Sequence, residues 1–135
     1  MAYWLLKTEP SVYSYDDLVR DKKTTWDGVA NNTALLHMKS IKKGDLAFIY
    51  HTGDERAMTG IAEITSEAYP DPKEDNPKLL VFDLKPKQKL KNPVTLATVK
   101  SMKKYEKYDL VRLGRVSVMP VPEEYWNDFV KMSEK

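Results

Sequence analysis

The pattern of apolar runs predicts an α+β protein: a small mixed β-barrel or strongly bent sheet, with short helices covering its openings. Five or six runs of strand length are separated by turn residues, and the helical patterns between them are short. Strands and helices do not alternate regularly, which argues against a parallel βαβ sandwich. At 135 residues, 41% hydrophobic and 31% charged, residues 1–135 read as one globular domain, long enough to bury roughly two-thirds of the surface its unfolded form exposes.

The run Tyr3-Trp4-Leu5-Leu6 predicts a buried strand, stopped by Pro10. Ser14, with Asp17 three residues on, resembles an N-cap with an acidic first turn and opens a short helix through Leu18 and Val19. Asn31 or Asn32 caps a second helix, whose apolar positions Ala34, Leu35, Met38 and Ile41 recur at helical spacing before Lys42, Lys43 and Gly44 close it. Leu46 to Tyr50 is a continuous apolar run, and Gly53-Asp54 turns it into a return strand from Thr59 to Tyr69, giving a hairpin. Pro70, Pro72 and Pro77 bracket an acidic surface loop.

A third long strand starts at Leu79, runs on into Lys85, Lys87, Lys89 and Lys91, and ends at Pro93. Short helices follow at 96–102 and 105–110, then a strand from Arg115 to Met119. In the terminal helix Pro122 suits the first turn and Glu123 and Glu124 suit the dipole. Tyr125, Trp126, Phe129 and Val130 form its apolar stripe.

Lys plus Arg number 22 against 20 Asp plus Glu, a net charge of +2. That excludes nonspecific electrostatic coating of a polynucleotide, so any basic surface must be local. The absence of Cys excludes disulfides, zinc ribbons, thiol nucleophiles and iron–sulfur ligation. The apolar run Ala2 to Leu6 is too short for a signal segment or a membrane span, and the default location is cytoplasmic.

Enzyme signatures are scarce. The five glycines form neither a dinucleotide nor a P-loop spacing, and there is no nucleophile elbow. Two histidines without Cys do not suffice for a transition-metal site, so neither metal nor cofactor is expected. His37 reads as satisfied or solvent-facing on its helix, whereas His51 stands at a strand mouth beside Tyr50.

Lys7-Thr8-Glu9-Pro10 places a cation, a hydroxyl and a carboxylate where a buried strand stops. It is either a solvated turn or a recognition edge in which Pro10 holds Glu9 extended. Trp26-Asp27-Gly28 is either a core anchor or an aromatic wall that lets a flat ligand approach the backbone. Lys85, Lys87, Lys89 and Lys91, spaced by two, share one face if the strand is regular; they either guard a sheet edge or track phosphates.

The order of motifs is more specific than any one of them. The segments are Tyr3-Trp4-Leu5-Leu6-Lys7-Thr8-Glu9-Pro10-Ser11, Trp26-Asp27-Gly28-Val29, Gly44-Asp45-Leu46, Tyr50-His51, Gly60-Ile61-Ala62, Glu67-Ala68-Tyr69-Pro70-Asp71-Pro72, Pro93-Val94-Thr95-Leu96, and Leu110-Val111-Arg112 through Ser117-Val118-Met119-Pro120-Val121. Together they resemble the EVE domain family from Tyr3 to about Phe129.

The resemblance implies a PUA-like bent mixed barrel related to the YTH readers of methylated RNA. It also implies recognition of modified nucleobases, modified cytosines in DNA in particular, without catalysis. The pocket it implies is built from Lys7, Thr8, Glu9, Trp26, Gly28, Asn31, Tyr50, His51, Arg112, Arg115 and Ser117. Ala30 and Leu35 stand where family members usually carry Arg.

The expected protein is therefore a non-enzymatic reader of a modified base in DNA or RNA, a monomer by default, with phosphate contacts from the four alternating lysines. Two other readings stay open: a small enzyme on a nucleotide-like ligand with Glu9 as base and His51 as acid, and a protein-interaction module using exposed Trp and Tyr side chains.

Overall fold

A computed structural model describes residues 1–135. Its strands are β1 (Tyr3–Thr8), β2 (Thr24–Trp26), β3 (Leu46–His51), β4 (Ala57–Ile64), β5 (Tyr69–Pro70), β6 (Leu80–Thr95) and β7 (Val118–Pro120). The spatial order is β2-β6-β4-β3-β1-β7, with β5 paired to β6 off this path. The edge strands β2 and β7 do not pair with each other, so the curled sheet is a half-barrel with one open seam. The helices are α1 (Tyr15–Asp21), α2 (Asn32–Met38), α3 (Leu96–Lys100), α4 (Asp109–Arg112) and α5 (Glu123–Glu134). No helix is long and apolar enough to cross a membrane.

The continuous apolar runs become the central strands because those strands are covered on both faces. β1 and β3 run parallel, from Tyr3 opposite Leu46 to Thr8 opposite His51. Their crossover contains α1, β2 and α2. On one face α5 lays Trp126 over Phe48 and Tyr3, with ring centroids 4.0 and 4.6 Å away. At the barrel end Asp45 is buried but fully used: it accepts from Trp4 Nε1 at 2.9 Å and from the backbone N–H groups of Ala2 and Lys42.

On the other face α1 is held by its first residue. Tyr15 is buried against Gly60, its hydroxyl donates to the Ile61 carbonyl at 2.8 Å, and its N–H donates to His51 Nε2 at 3.0 Å. The helix starts as Ser14 suggests, with a capping box in which Ser14 Oγ accepts from Asp17 N and Asp17 returns the bond to Ser14 N.

Several boundaries differ from the sequence reading. α2 ends at Met38, and Ile41 is buried from the 3₁₀-like turns that follow, where Ser40 and Ile41 bond back only three residues. The return strand spans Ala57–Ile64 and not Thr59–Tyr69, because Ser66 Oγ accepts the Asp83 N–H and diverts the ladder; Tyr69–Pro70 then re-pairs as β5. Pro93 does not end β6. The strand continues to Thr95 because both Pro86 and Pro93 fall at register shifts, where a missing N–H breaks no ladder bond. The helix expected at 105–110 is a 3₁₀ turn at Lys103–Tyr105 followed by α4, and the late strand is only Val118–Pro120. β2 has no counterpart in the sequence reading; three residues carry too little periodicity.

A Cβ on Gly60 would lie 2.3 Å from the Tyr15 ring. Gly60→Ala is therefore expected to destabilise the fold by about 1–3 kcal/mol through overpacking, read as a lower urea midpoint with an unchanged m-value.

Candidate functional site

The open seam holds a cavity of about 630 Å³. One side comes from the end of β1, Lys7 and Thr8, and from Ser117 just before β7; the Lys7 N–H donates to the Ser117 carbonyl at 2.9 Å and fixes that junction. The facing side is β2 and the residues after it, Thr24 to Val29. Tyr69, Asp71, Pro72 and Lys73 form one rim and Val12 and Tyr13 the other.

Trp26 forms a wall. Only 7% of it is exposed, and Tyr13 packs against it edge-on, centroids 6.4 Å apart at 84°. Gly28 turns the chain after β2 at φ +75, a left-handed conformation that suits glycine, and nothing lies within 4 Å of where a Cβ would be. The Tyr69 rim is tied down by Asp83, which accepts from Tyr69 Oη at 2.7 Å and Thr25 Oγ1 at 3.0 Å, joining β5, β2 and β6. That bond pushes the Tyr69 phenol up from its ordinary pKa.

Lys7 is the cavity's half-buried cation. Its Nζ has no carboxylate partner; it donates to the carbonyls of Gly114 at 3.3 Å and Leu113 at 3.5 Å and lies 5.9 Å from the Tyr50 ring centroid. Burial holds its pKa below the ordinary lysine value.

Of the residues singled out in the sequence, Lys7, Thr8, Trp26, Gly28 and Ser117 come together around the cavity. Thr8 Oγ1 is already donating to the Tyr13 carbonyl at 2.7 Å. The others lie outside the lining, and their bonds account for it. Glu9 accepts from Thr52 Oγ1 at 3.1 Å and from Ser11. Asn31 caps α2, its Oδ1 accepting from the Ala34 N–H. Tyr50 is buried beneath Lys7. His51 is buried with both ring nitrogens engaged, Nε2 accepting from Tyr15 N–H and Nδ1 2.7 Å from Glu55 Oε1. Arg112 is folded back onto the Lys107 carbonyl and Asp109, and Arg115 is exposed. Ala30 is exposed, whereas Leu35 is a buried core residue of α2.

The four strand lysines do not share a face. Glu63 is opposite Lys85 and Ala62 opposite Pro86, but Ile61 is opposite Gln88, so Lys87 is the extra residue of a β-bulge and the alternation inverts beyond it. Lys85 is left on the Glu63 face and Lys89 on the opposite, Gly60 face. Lys89 pairs with Asp16 at 3.0 Å and Lys87 with Glu63 at 4.0 Å. None of the four lines the cavity.

The sequence reading missed Val12, Tyr13, Thr25, Tyr69, Asp71 and Lys73 as lining residues. A signal existed for Tyr69 and Asp71, which lie inside one of the family-like segments but read as part of a surface loop. No group of His, Cys, Asp and Glu is arranged to hold a metal ion.

A curled mixed half-barrel with short helices and a base-sized, tryptophan-walled cavity at its seam defines a PUA-like domain. At the level of fold alone, the ASCH protein of Zymomonas mobilis superimposes with a TM-score of 0.62 at 14% identity, over 97% of this chain and 95% of that one. The EVE domain family model matches residues 2–132, and the chain belongs to the EVE domain family. A protein of Rhodopseudomonas palustris solved by NMR is 43% identical with a TM-score of 0.93, covering 99% of this chain and 94% of that chain. Human thymocyte nuclear protein 1 (THYN1) is 30% identical over 168 residues, 99% of this chain and 75% of the relative. A crystal structure of human THYN1 in complex with DNA containing 5-methylcytosine matches with a TM-score of 0.90 at 30% identity, over 100% of this chain and 99% of that one.

Below its lowered native pKa, Lys7 is charged in both folded and unfolded chains and its burial costs stability. Between that value and the ordinary lysine value the unfolded chain holds the extra proton, so stability rises with pH. Lys7→Met is expected to melt above wild type at neutral pH, the gap narrowing as pH climbs through the lysine range in a pH series of thermal melts.

Proposed function

We propose that this protein is a non-enzymatic reader that accepts a modified cytosine of DNA, 5-methylcytosine first, into the seam cavity. The observation that carries the reading is the cavity itself: it is within the roughly 300–1,000 Å³ of ordinary ligand pockets and pairs an indole wall with an uncompensated cation. The THYN1 relative solved with 5-methylcytosine DNA, at 30% identity, supports the same ligand.

Trp26 supplies the apolar surface a base packs on, a contact worth about 1–3 kcal/mol per base. Lys7 donates to the base carbonyl or to its phosphate, and Ser117 offers a hydroxyl that can donate or accept at the base edge. Gly28 lets the ligand approach the backbone. Glu9, Asn31, Tyr50 and His51 support these groups from behind, while Arg112 and Arg115 are free to reach backbone phosphates. Lys85 and Lys91, which make no ion pair, add at most a weak phosphate contribution.

The acid–base alternative loses its donor, because His51 already accepts the Tyr15 N–H and contacts Glu55. A buried imidazole so engaged is a structural link between β3 and α1. Glu9 is likewise occupied by Thr52 and Ser11.

Burying one methyl group is worth about 0.8 kcal/mol, so a strand with one 5-methylcytosine is expected to bind about fourfold tighter than its plain counterpart. Fluorescence anisotropy on the two strands checks this. Lys7→Gln should weaken both, Trp26→Phe should narrow the difference, and Glu9→Gln should retain binding. Equal binding of plain and methylated strands, unchanged by the Lys7 and Trp26 substitutions, overturns the reading.

A further inference from the structure

We propose that Val12 is a wedge that enters the DNA stack beside the base taken into the cavity and fills the gap the base leaves. This rests on the cavity being a base receptor, and goes beyond it by assigning a residue that acts on the duplex and not on the base.

Val12 is 78% exposed, an unusual position for a β-branched apolar side chain, and it lines the cavity mouth. A base seated against Trp26 places its own sugar and phosphate at that mouth, so Val12 faces the step from which the base has left. The turn that presents it is rigid. The N–H groups of Val12 and Tyr13 both donate to the Glu9 carbonyl at 2.9 Å, Thr8 Oγ1 ties the Tyr13 carbonyl from inside, and Thr52 Oγ1 holds the Glu9 carboxylate. A valine has one χ angle and few rotamers, so presenting it costs little entropy.

The two rims are chemically unequal. The opposite one carries Asp71 at the cavity and continues into Glu74 and Asp75, carboxylates that backbone phosphates repel. On the Val12 side the nearest carboxylate, Glu9, is occupied by hydroxyl donors. The apolar rim is therefore the one that can enter a stack. Apolar side chains inserted between base steps are a general device for stabilising unstacked DNA, and extrusion from a matched duplex costs a few kcal/mol that the cavity alone barely offsets.

The test compares three DNA probes carrying one 5-methylcytosine: a single strand, a matched duplex, and a duplex with an abasic site opposite the modified base. Val12→Ala removes about two carbons of buried surface and should weaken matched-duplex binding about tenfold. It should leave single-strand binding within about twofold, with an intermediate loss on the abasic duplex, where extrusion is already cheap. Val12→Leu should retain duplex binding, and 2-aminopurine next to the site should brighten with wild type but not with Val12→Ala. Val12 has so little contact with the core that folding is not at stake. An unchanged matched-duplex affinity in Val12→Ala, or an equal loss on single strand and duplex, overturns the wedge while leaving the receptor reading intact. Wild-type indifference to the methyl group on all three probes removes the receptor reading and the wedge with it.

Discussion

The cavity exists because the sheet curls without closing. β2 and β7 are three residues each and lie at opposite ends of the strand order. Strands that short offer too few ladder bonds to draw two edges together against the twist of the strands between them. What would be a filled barrel seam is instead a space walled by the ends of β1 and β2. The site is thus a consequence of strand length, and its walls are rigid because they are continuous with the sheet.

Rigidity has an electrostatic counterpart at Lys7. The ammonium is half-buried, faces carbonyl oxygens and an aromatic ring, and has no carboxylate to neutralise it. Such a group lowers the stability of the free protein and raises its affinity for anything that brings electron-rich oxygen to the same place. The contrast with Asp45 is instructive: that buried carboxylate accepts bonds from Trp4, Ala2 and Lys42 and has nothing left for a ligand. His51 belongs with Asp45. The small net charge follows the same division, with many surface charges paired among themselves, as in Arg20 with Asp17 and Asp21 and Lys104 with Glu124 and Asp128, and the unpaired cation kept at the cavity.

Much of the fold was legible because its signals are local. Ser14 with Asp17 marks α1, Asn31 marks α2, the apolar run 46–50 with Gly53-Asp54 marks the β3–β4 hairpin, and the Trp126 and Phe129 stripe marks α5. The failures share a cause. β2 and β5 are strands only because Phe82 to Leu84 and Leu80 to Val81 offer partners. The lysine stripe dissolved because a bulge at Lys87 is set by pairing with β4 and leaves no trace in the spacing of β6 itself.

The chain alone determined the fold class, the family-like order of motifs and the residue types a base pocket needs, since each depends on neighbours within a few positions. Only the tertiary structure decided which of those residues face the cavity. Lys7 and Glu9 differ by two positions and by reading alone share a strand face, yet β1 ends at Thr8; Lys7 turns to the cavity and Glu9 is drawn off by Thr52 and Ser11. Likewise Asp71, 45 residues beyond Trp26 in the chain, reaches the same cavity because β5 re-pairs with β6 there. Contacts of that range depend on register and curl, and neither is written in any short stretch of sequence.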